Sequence, residues 1–127
     1  MQQPVFSINR LSSLTATLTK HPDVITTIII SCDGLMVSQG LPPEIDERLA
    51  APMAAALSGT GEQLAENLGF KETRVIIVFG KRRHVLTVSA GPQFILVVII
   101  KASSNISQLL AKARRVAGRI RRKTSEQ

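Results

Sequence analysis

An alanine-rich stretch at residues 44–69 limits the folds open to this chain, because it has the period of a helix and lies between segments rich in β-branched residues. Two sets of side chains recur in it at three- and four-residue spacing. The first set is mostly large and apolar: Ile45, Leu49, Met53, Ala56, Leu57, Thr60, Leu64 and Leu68. The second set is mostly small: Glu47, Ala51, Ala54, Ser58, Gly61 and Ala65.

A helix with two such faces is expected to be covered on both. We expect the first set to pack on the chain's own sheet and the second to contact another helix, because small side chains let two helix axes approach to about 8–10 Å. A second copy of the chain is the simplest partner, and Ala54→Arg would then split the dimer for lack of room. The alternative is a helix covered twice within one subunit, beneath the terminal helices.

The segments on either side predict two further helices and five strands. An N-terminal helix capped by Ser7 carries one apolar face, formed by Ile8, Leu11, Leu14 and Leu18. β-Branched and apolar runs predict strands at residues 24–32, 35–39, 73–79, 84–90 and 94–100. A final helix starts at about Asn105, with Ser103 or Ser104 as its cap.

Short connections decide how these strands pair. Asp33-Gly34 predicts a tight hairpin with positive φ at both residues, and Gly69 is the expected C-cap of the central helix. Loops at 80–83 and 91–93 make the last three strands antiparallel neighbours in a meander.

The element order α-β-β-α-β-β-β-α indicates the α+β class, with a five-stranded antiparallel sheet. We expect the central helix on one face of the sheet and the terminal helices on the other. The chain is expected to be a single domain over residues 1–127, with an ordered core at about 7–122 and a disordered tail at 123–127.

The formal net charge of +7 is concentrated at the C-terminal end. The first 100 residues carry eight bases and eight acids, whereas the rest carry eight bases and one acid. A possible basic partner patch on the last helix consists of Lys112, Arg115, Arg119 and Arg122. It could contact phosphates, an acidic partner or only water. Four Phe with no Tyr or Trp offer few stacking groups, which argues against nucleic acid.

No set of residues predicts a catalytic, cofactor-binding or metal site. His21 and His84 lack further ligands at suitable spacing, and a zinc site needs about four. Cys32, the single cysteine, is expected to end a buried strand and fits a reducing compartment. No apolar run approaches the ~18 residues of a membrane span, and no export signal is apparent. We therefore expect a cytoplasmic protein that is not an enzyme and has no cofactor.

The element order and three local sequences resemble the roadblock family over residues 8–122. The local sequences are Asp33-Gly34-Leu35, the run at 49–57 followed by 64–69, and Leu109, Ala113 and Ala117 in the last helix. The resemblance implies a homodimer in which the central helices pair and the third strands join edge to edge into one sheet. It further implies binding of a Ras-like small GTPase across the paired helices, with stimulated GTP hydrolysis in MglB-like members.

We therefore expect a homodimeric regulator or scaffold for a small GTPase. The residues expected at the dimer interface are Ala51, Ala54, Ser58, Gly61 and Ala65 on the helix, and Arg74, Ile76 and Val78 on the edge strand. One alternative is an adaptor that binds another roadblock protein. The other is a nucleic-acid-binding protein that uses the basic patch, whose binding would fall with salt and vanish on removal of residues 112–127.

Overall fold

The computed structural model describes residues 8–37, 45–70 and 75–125, so that the predicted cap Ser7 lies outside the described residues. The elements are α1 (Ile8–Thr19), β1 (Val24–Ser31), α2 (Glu47–Asn67), β2 (Val75–Phe79), β3 (Arg83–Ser89), β4 (Phe94–Lys101) and α3 (Ile106–Ser125). The strands form one antiparallel sheet in the order β1-β4-β3-β2. The predicted meander of the last three strands is confirmed, because β3 pairs with both β2 and β4.

Strand β4 is the centre of the core because both of its faces are covered. Residues 94–100 are all buried, as expected of a strand that lies between two helical layers. Leu96 and Val98 belong to the cluster with α1 and α3, whereas Ile95 and Val97 belong to the cluster with α2. The sheet is therefore the middle one of three layers.

The sheet has four strands, and the fifth strand predicted at residues 35–39 is wrong within the described residues. The second arm of the first hairpin contributes only a single bridge, between Ile30 and Met36. Leu35 beside it is exposed, whereas Met36 and Val37 pack against the two core clusters. The exposed Leu35 adds no covered cross-strand pair at the turn end of this arm, where such pairs would stabilise a strand. Residues 38–39 lie outside the described residues.

The first turn is a tight hairpin, but not of the predicted type. Gly34 has φ +88°, whereas no described residue other than glycine has a positive φ, so Asp33 does not adopt the predicted conformation. The Gly34 N–H donates to the Ser31 carbonyl at 3.0 Å, which closes a three-residue loop that ends in the left-handed region. A Cβ at Gly34 would lie 3.0 Å from Cα of Pro52, so the absence of a side chain also permits contact with α2.

Local sequence sets both ends of α2. The Asp46 carboxylate accepts a hydrogen bond from the Arg48 N–H at 3.0 Å and caps the first turn. At the other end Gly69 has φ +88°, and the Phe70 N–H donates to the Ala65 carbonyl at 2.7 Å. This is a Schellman ending, which confirms the prediction that Gly69 ends the helix.

Helix α3 begins at Ile106, one residue later than a Ser104 cap and two residues later than a Ser103 cap would place it. The Asn105 side chain accepts a hydrogen bond from the Gln108 N–H at 3.0 Å, so Asn105 is the cap and the prediction of a serine at 103 or 104 is wrong. At its other end α3 continues beyond Arg122 to Ser125.

Candidate protein-interaction surface

Helix α2 turns its small side chains toward the sheet and its large ones outward, so the orientation predicted for this helix is wrong. Ala51 and Ala65 are 4% and 5% exposed within a single chain, and Ala51 packs against Ile28 and Ile30. The large apolar side chains of α2 and the residues after it are 37% to 67% exposed: Leu49, Met53, Leu57, Leu64, Leu68 and Phe70.

Side-chain size explains this orientation. Alanines let the helix backbone approach a sheet face that is covered by β-branched residues, and Ala54 and Ala55 pack against the same cluster as Ala51. Leucine or methionine at these positions would hold the helix farther from the sheet. Periodicity separates the two faces of a helix but does not say which one turns to its own sheet.

The burial of these residues bears on the predicted dimer interface. Ala51 and Ala65 have almost no surface left for a second chain, and Ala54, Ser58 and Gly61 are only partly exposed on the same side. Ala51 and Ala65 are therefore covered within one copy, whereas Ala54, Ser58 and Gly61 keep part of their surface, and their place in an interface stays a prediction. Because Ala54 packs against the α2 core cluster, Ala54→Arg would also disturb the fold of the single chain. Self-association itself stays a prediction.

Two apolar grooves run along the exposed side of α2. The larger one, of about 640 Å³, lies between α2 and the sheet, and its lining includes Met53, Leu57, Val78 and Val85. A shallower groove of about 460 Å³ continues the surface, lined in part by Leu57, Leu64, Leu68, Phe70 and Ile76. Leu57 lines both grooves, so they form one continuous surface, here called the apolar surface.

Strand β2 completes the apolar surface at the edge of the sheet. Within the sheet of described residues β2 pairs with β3 alone. Val78 lines the larger groove together with Ala51 and Ala54, and Ile76 lines the shallower one together with Gly61 and Ala65. These two predicted interface residues therefore border both large and small side chains of α2. Arg74 lies outside the described residues. A free strand edge next to apolar side chains is a template for a further strand.

The two histidines have structural roles in turns. The Gly80 N–H donates to Nδ1 of the buried His84 at 3.2 Å, and the His84 ring meets Phe79 edge-on with 5.0 Å between ring centroids. The Asp23 N–H donates to Nδ1 of His21 at 3.1 Å. Within residues 8–37, 45–70 and 75–125, no three His, Cys, Asp or Glu side chains are grouped closely enough to hold a metal ion.

Cys32 is exposed in the first turn, and the prediction that it ends a buried strand is wrong because β1 ends at Ser31. Its thiol donates to the Pro92 carbonyl at 3.4 Å. Partial burial raises the pKa of the thiol, and the Glu62 and Asp33 carboxylates raise it further. A raised pKa disfavours the thiolate, which is the nucleophilic form.

We expect Cys32 in the folded chain to react with iodoacetamide more slowly at neutral pH than in the same chain unfolded in urea. The raised pKa leaves less thiolate in the folded state, and the difference should shrink as the pH rises through the folded pKa. Mass spectrometry of timed samples measures both rates. A folded chain that reacts as fast as the unfolded one would contradict this interpretation.

The predicted basic residues lie together on the outer side of α3, in the layer opposite α2. They are Lys112, which is half-buried, and the exposed Arg115, Arg119 and Arg122. The first three line a shallow groove of about 310 Å³ with Thr17 and Leu18 of α1. None of the described helices combines the length and apolar character that a bilayer-spanning helix needs.

Comparison with known proteins identifies the fold and a family. The model of the Roadblock/LC7 domain family matches residues 11–100. An uncharacterised protein of Methanocaldococcus jannaschii is 29% identical over 104 residues, which cover 82% of this chain and 90% of that protein. MglB of Myxococcus xanthus has a TM-score of 0.88 at 16% identity, over 99% of this chain and 94% of that one. An MglB in a tetrameric arrangement has a TM-score of 0.85 at 16% identity, over 98% of each chain.

Proposed function

Because this chain belongs to the Roadblock/LC7 domain family, we propose that it is a homodimeric regulator or scaffold that binds a Ras-like small GTPase. Family membership and the fold shared with MglB support a protein-interaction role. The observation that carries the proposal is the apolar surface on α2 and β2, which the described residues of a single chain leave open.

A second copy of the chain suits this surface because, among the described residues, β2 is an edge strand that pairs with β3 alone. A two-fold axis perpendicular to the sheet makes β2 an antiparallel neighbour of its copy and joins the two sheets. The same axis brings both α2 helices onto one side of the joined sheet, where Leu57 and Leu64 meet their counterparts. Contiguous exposed apolar surface on this scale is typical of interaction sites. The tetrameric arrangement of an MglB also supports self-assembly.

The paired α2 helices would keep a third, polar flank open to a different partner. Arg48, Gln63 and Glu66 are exposed and lie on neither the small nor the large apolar face of the helix. Two such flanks side by side make a broad surface, and the exposed Leu49 and Met53 of the same helix supply apolar anchors of the kind that a protein interface has at its centre. We assign this surface to the GTPase, in line with the resemblance to roadblock proteins.

We expect a complex in which the dimer binds a small GTPase of the same organism in one nucleotide state. Each GTPase is loaded with GDP or with a non-hydrolysable GTP analogue and mixed with the full chain, and light scattering after gel filtration gives the mass. Gln63→Ala with Glu66→Ala should weaken binding by about tenfold or more and leave the dimer intact. Gln108→Ala, on the opposite layer, is the control and should bind as the wild type does.

Absence of a complex with every GTPase in both nucleotide states would remove the GTPase from the proposal. If Gln108→Ala lost GTPase binding and the flank variant kept it, the GTPase would bind the layer of α1 and α3, and the assignment to α2 would be wrong. A complex with a second roadblock protein in place of a GTPase would favour the adaptor alternative.

A further inference from the structure

The two helical layers of this protein differ in charge. Neither α1 nor α3 contains an acidic residue, whereas α2 and its cap contain Asp46, Glu47, Glu62 and Glu66. The bases of α1 and α3 are Arg10, Lys112, Arg114, Arg115, Arg119, Arg121, Arg122 and Lys123. Because the sheet separates the layers, one broad side of the domain is basic, and the side with α2 carries four of the six acids in the described residues.

The groove between α1 and α3 brings three of these bases together. Lys112, Arg115 and Arg119 line it, and Thr17 adds a hydroxyl from α1. Within the described residues none of the three bases forms an ion pair or a side-chain hydrogen bond. Their positive charges are therefore not neutralised by the described part of the chain and are available to an anionic ligand.

The composition of this layer decides which anionic partner fits. None of the large apolar side chains that the described residues expose belongs to α1 or α3, and a protein interface normally has apolar or aromatic anchors at its centre. Neither helix contains Phe, Tyr or Trp, so the nucleobases of a single-stranded nucleic acid would have no aromatic side chain to stack on. A partner that needs only charge remains.

We propose that the outer face of α1 and α3 binds an anionic membrane surface, with lipid phosphate and carboxylate groups at Lys112, Arg115 and Arg119. The proposal rests on the proposed function, because the dimer sets the shape of the basic surface. Antiparallel pairing of β2 edges about an axis perpendicular to the sheet keeps both basic layers on one side. Two basic layers side by side make a broad surface that suits a planar bilayer better than a narrow duplex, and the two copies bind jointly.

The test is flotation of the full chain with vesicles of phosphatidylcholine alone or with added phosphatidylserine. We expect binding only to the anionic vesicles, weakening as salt rises because exposed charges are screened. Lys112→Gln with Arg115→Gln should weaken binding roughly 30-fold, from the effect of two bases near an anionic surface. The matched control, Lys81→Gln with Arg82→Gln, removes the same charges from the turn between β2 and β3 and should bind as the wild type does.

Three results would overturn the proposal: no binding to anionic vesicles at low salt, equal losses in the two double variants, or tighter binding to duplex DNA than to these vesicles. The last would assign the layer to nucleic acid. Failure of the proposed dimer can be distinguished from failure of the membrane proposal. A monomeric Leu64→Arg variant, compared with Gln63→Arg, should bind vesicles more weakly and still depend on Lys112 and Arg115. Circular dichroism of each variant verifies that it is folded.

Discussion

The Leu64→Arg variant is expected to be a monomer at concentrations at which the wild-type chain is a dimer. Leu64 is 58% exposed in the single chain and lines the groove that reaches Ile76, so the substitution takes little from the fold of one chain. In the dimer the arginine would be buried against apolar side chains, and the two-fold axis would repeat it. A buried charge without a partner costs about 3–5 kcal/mol, enough to dissociate a micromolar dimer.

Sedimentation equilibrium measures this directly, because one chain has a mass of 13.8 kDa and the dimer has twice that mass. Gln63→Arg is the matched control, since it adds the same side chain at the next residue, which is exposed on the polar flank. It should stay dimeric. A dimeric Leu64→Arg variant, or loss of the dimer in both variants, would show that the apolar surface does not hold two copies together.

Leu96→Ala is expected to cause the largest loss of folding stability among single truncations in the sheet. Leu96 is fully buried at the centre of β4, in the cluster shared with α1 and α3. Truncation of a buried leucine lowers the free energy of unfolding by about 2–5 kcal/mol, because apolar contacts are lost and a cavity remains. Urea denaturation at one fixed protein concentration gives the change, since a dimer's stability depends on concentration.

Leu35→Ala provides the comparison for Leu96→Ala, because it removes the same atoms from a side chain that is 67% exposed in the first turn. Leu35→Ala should change the free energy of unfolding by no more than about 0.5 kcal/mol. Similar losses of stability in the two variants would mean that β4 is not the centre of the core.

The strands were predictable where local sequence alone decides them. The last three strands are β-branched and apolar runs separated by short loops at 80–83 and 91–93, and such loops leave antiparallel pairing as the only option. Strand β4 could be predicted as buried on both faces because residues 94–100 are apolar throughout. Gly69 could be predicted as a helix end because glycine adopts positive φ without strain.

The orientation of α2 was not predictable from its period. Both faces carry apolar or small side chains at helical spacing, and the choice depends on how closely the helix can approach the sheet. Ala51 permits a close approach, so the leucines that were predicted to pack on the sheet are exposed in the single chain. The small side chains did indicate a close contact on that face of the helix, but such a contact can be with the chain's own sheet as well as with another helix.

The first hairpin and the cap of α3 were also beyond local sequence patterns. Asp33-Gly34 is compatible with more than one turn type, and the close contact between Gly34 and Pro52 of α2 is a tertiary feature. Ser103, Ser104 and Asn105 are all good N-cap residues. In the structure the cap is Asn105, whose side chain accepts a hydrogen bond from the Gln108 N–H.

Hydrogen exchange of the β2 amides tests most directly whether α2 and the β2 edge join two copies. In the wild-type chain we predict slow exchange even at those amides of Val75–Phe79 that donate no hydrogen bond to β3. In the dimer these amides donate to carbonyls of the copy's β2 strand, which protects them from exchange. The same amides should exchange fast in Leu64→Arg and stay slow in Gln63→Arg. Fast exchange at the β2 edge of the wild-type chain would show that no second copy covers it.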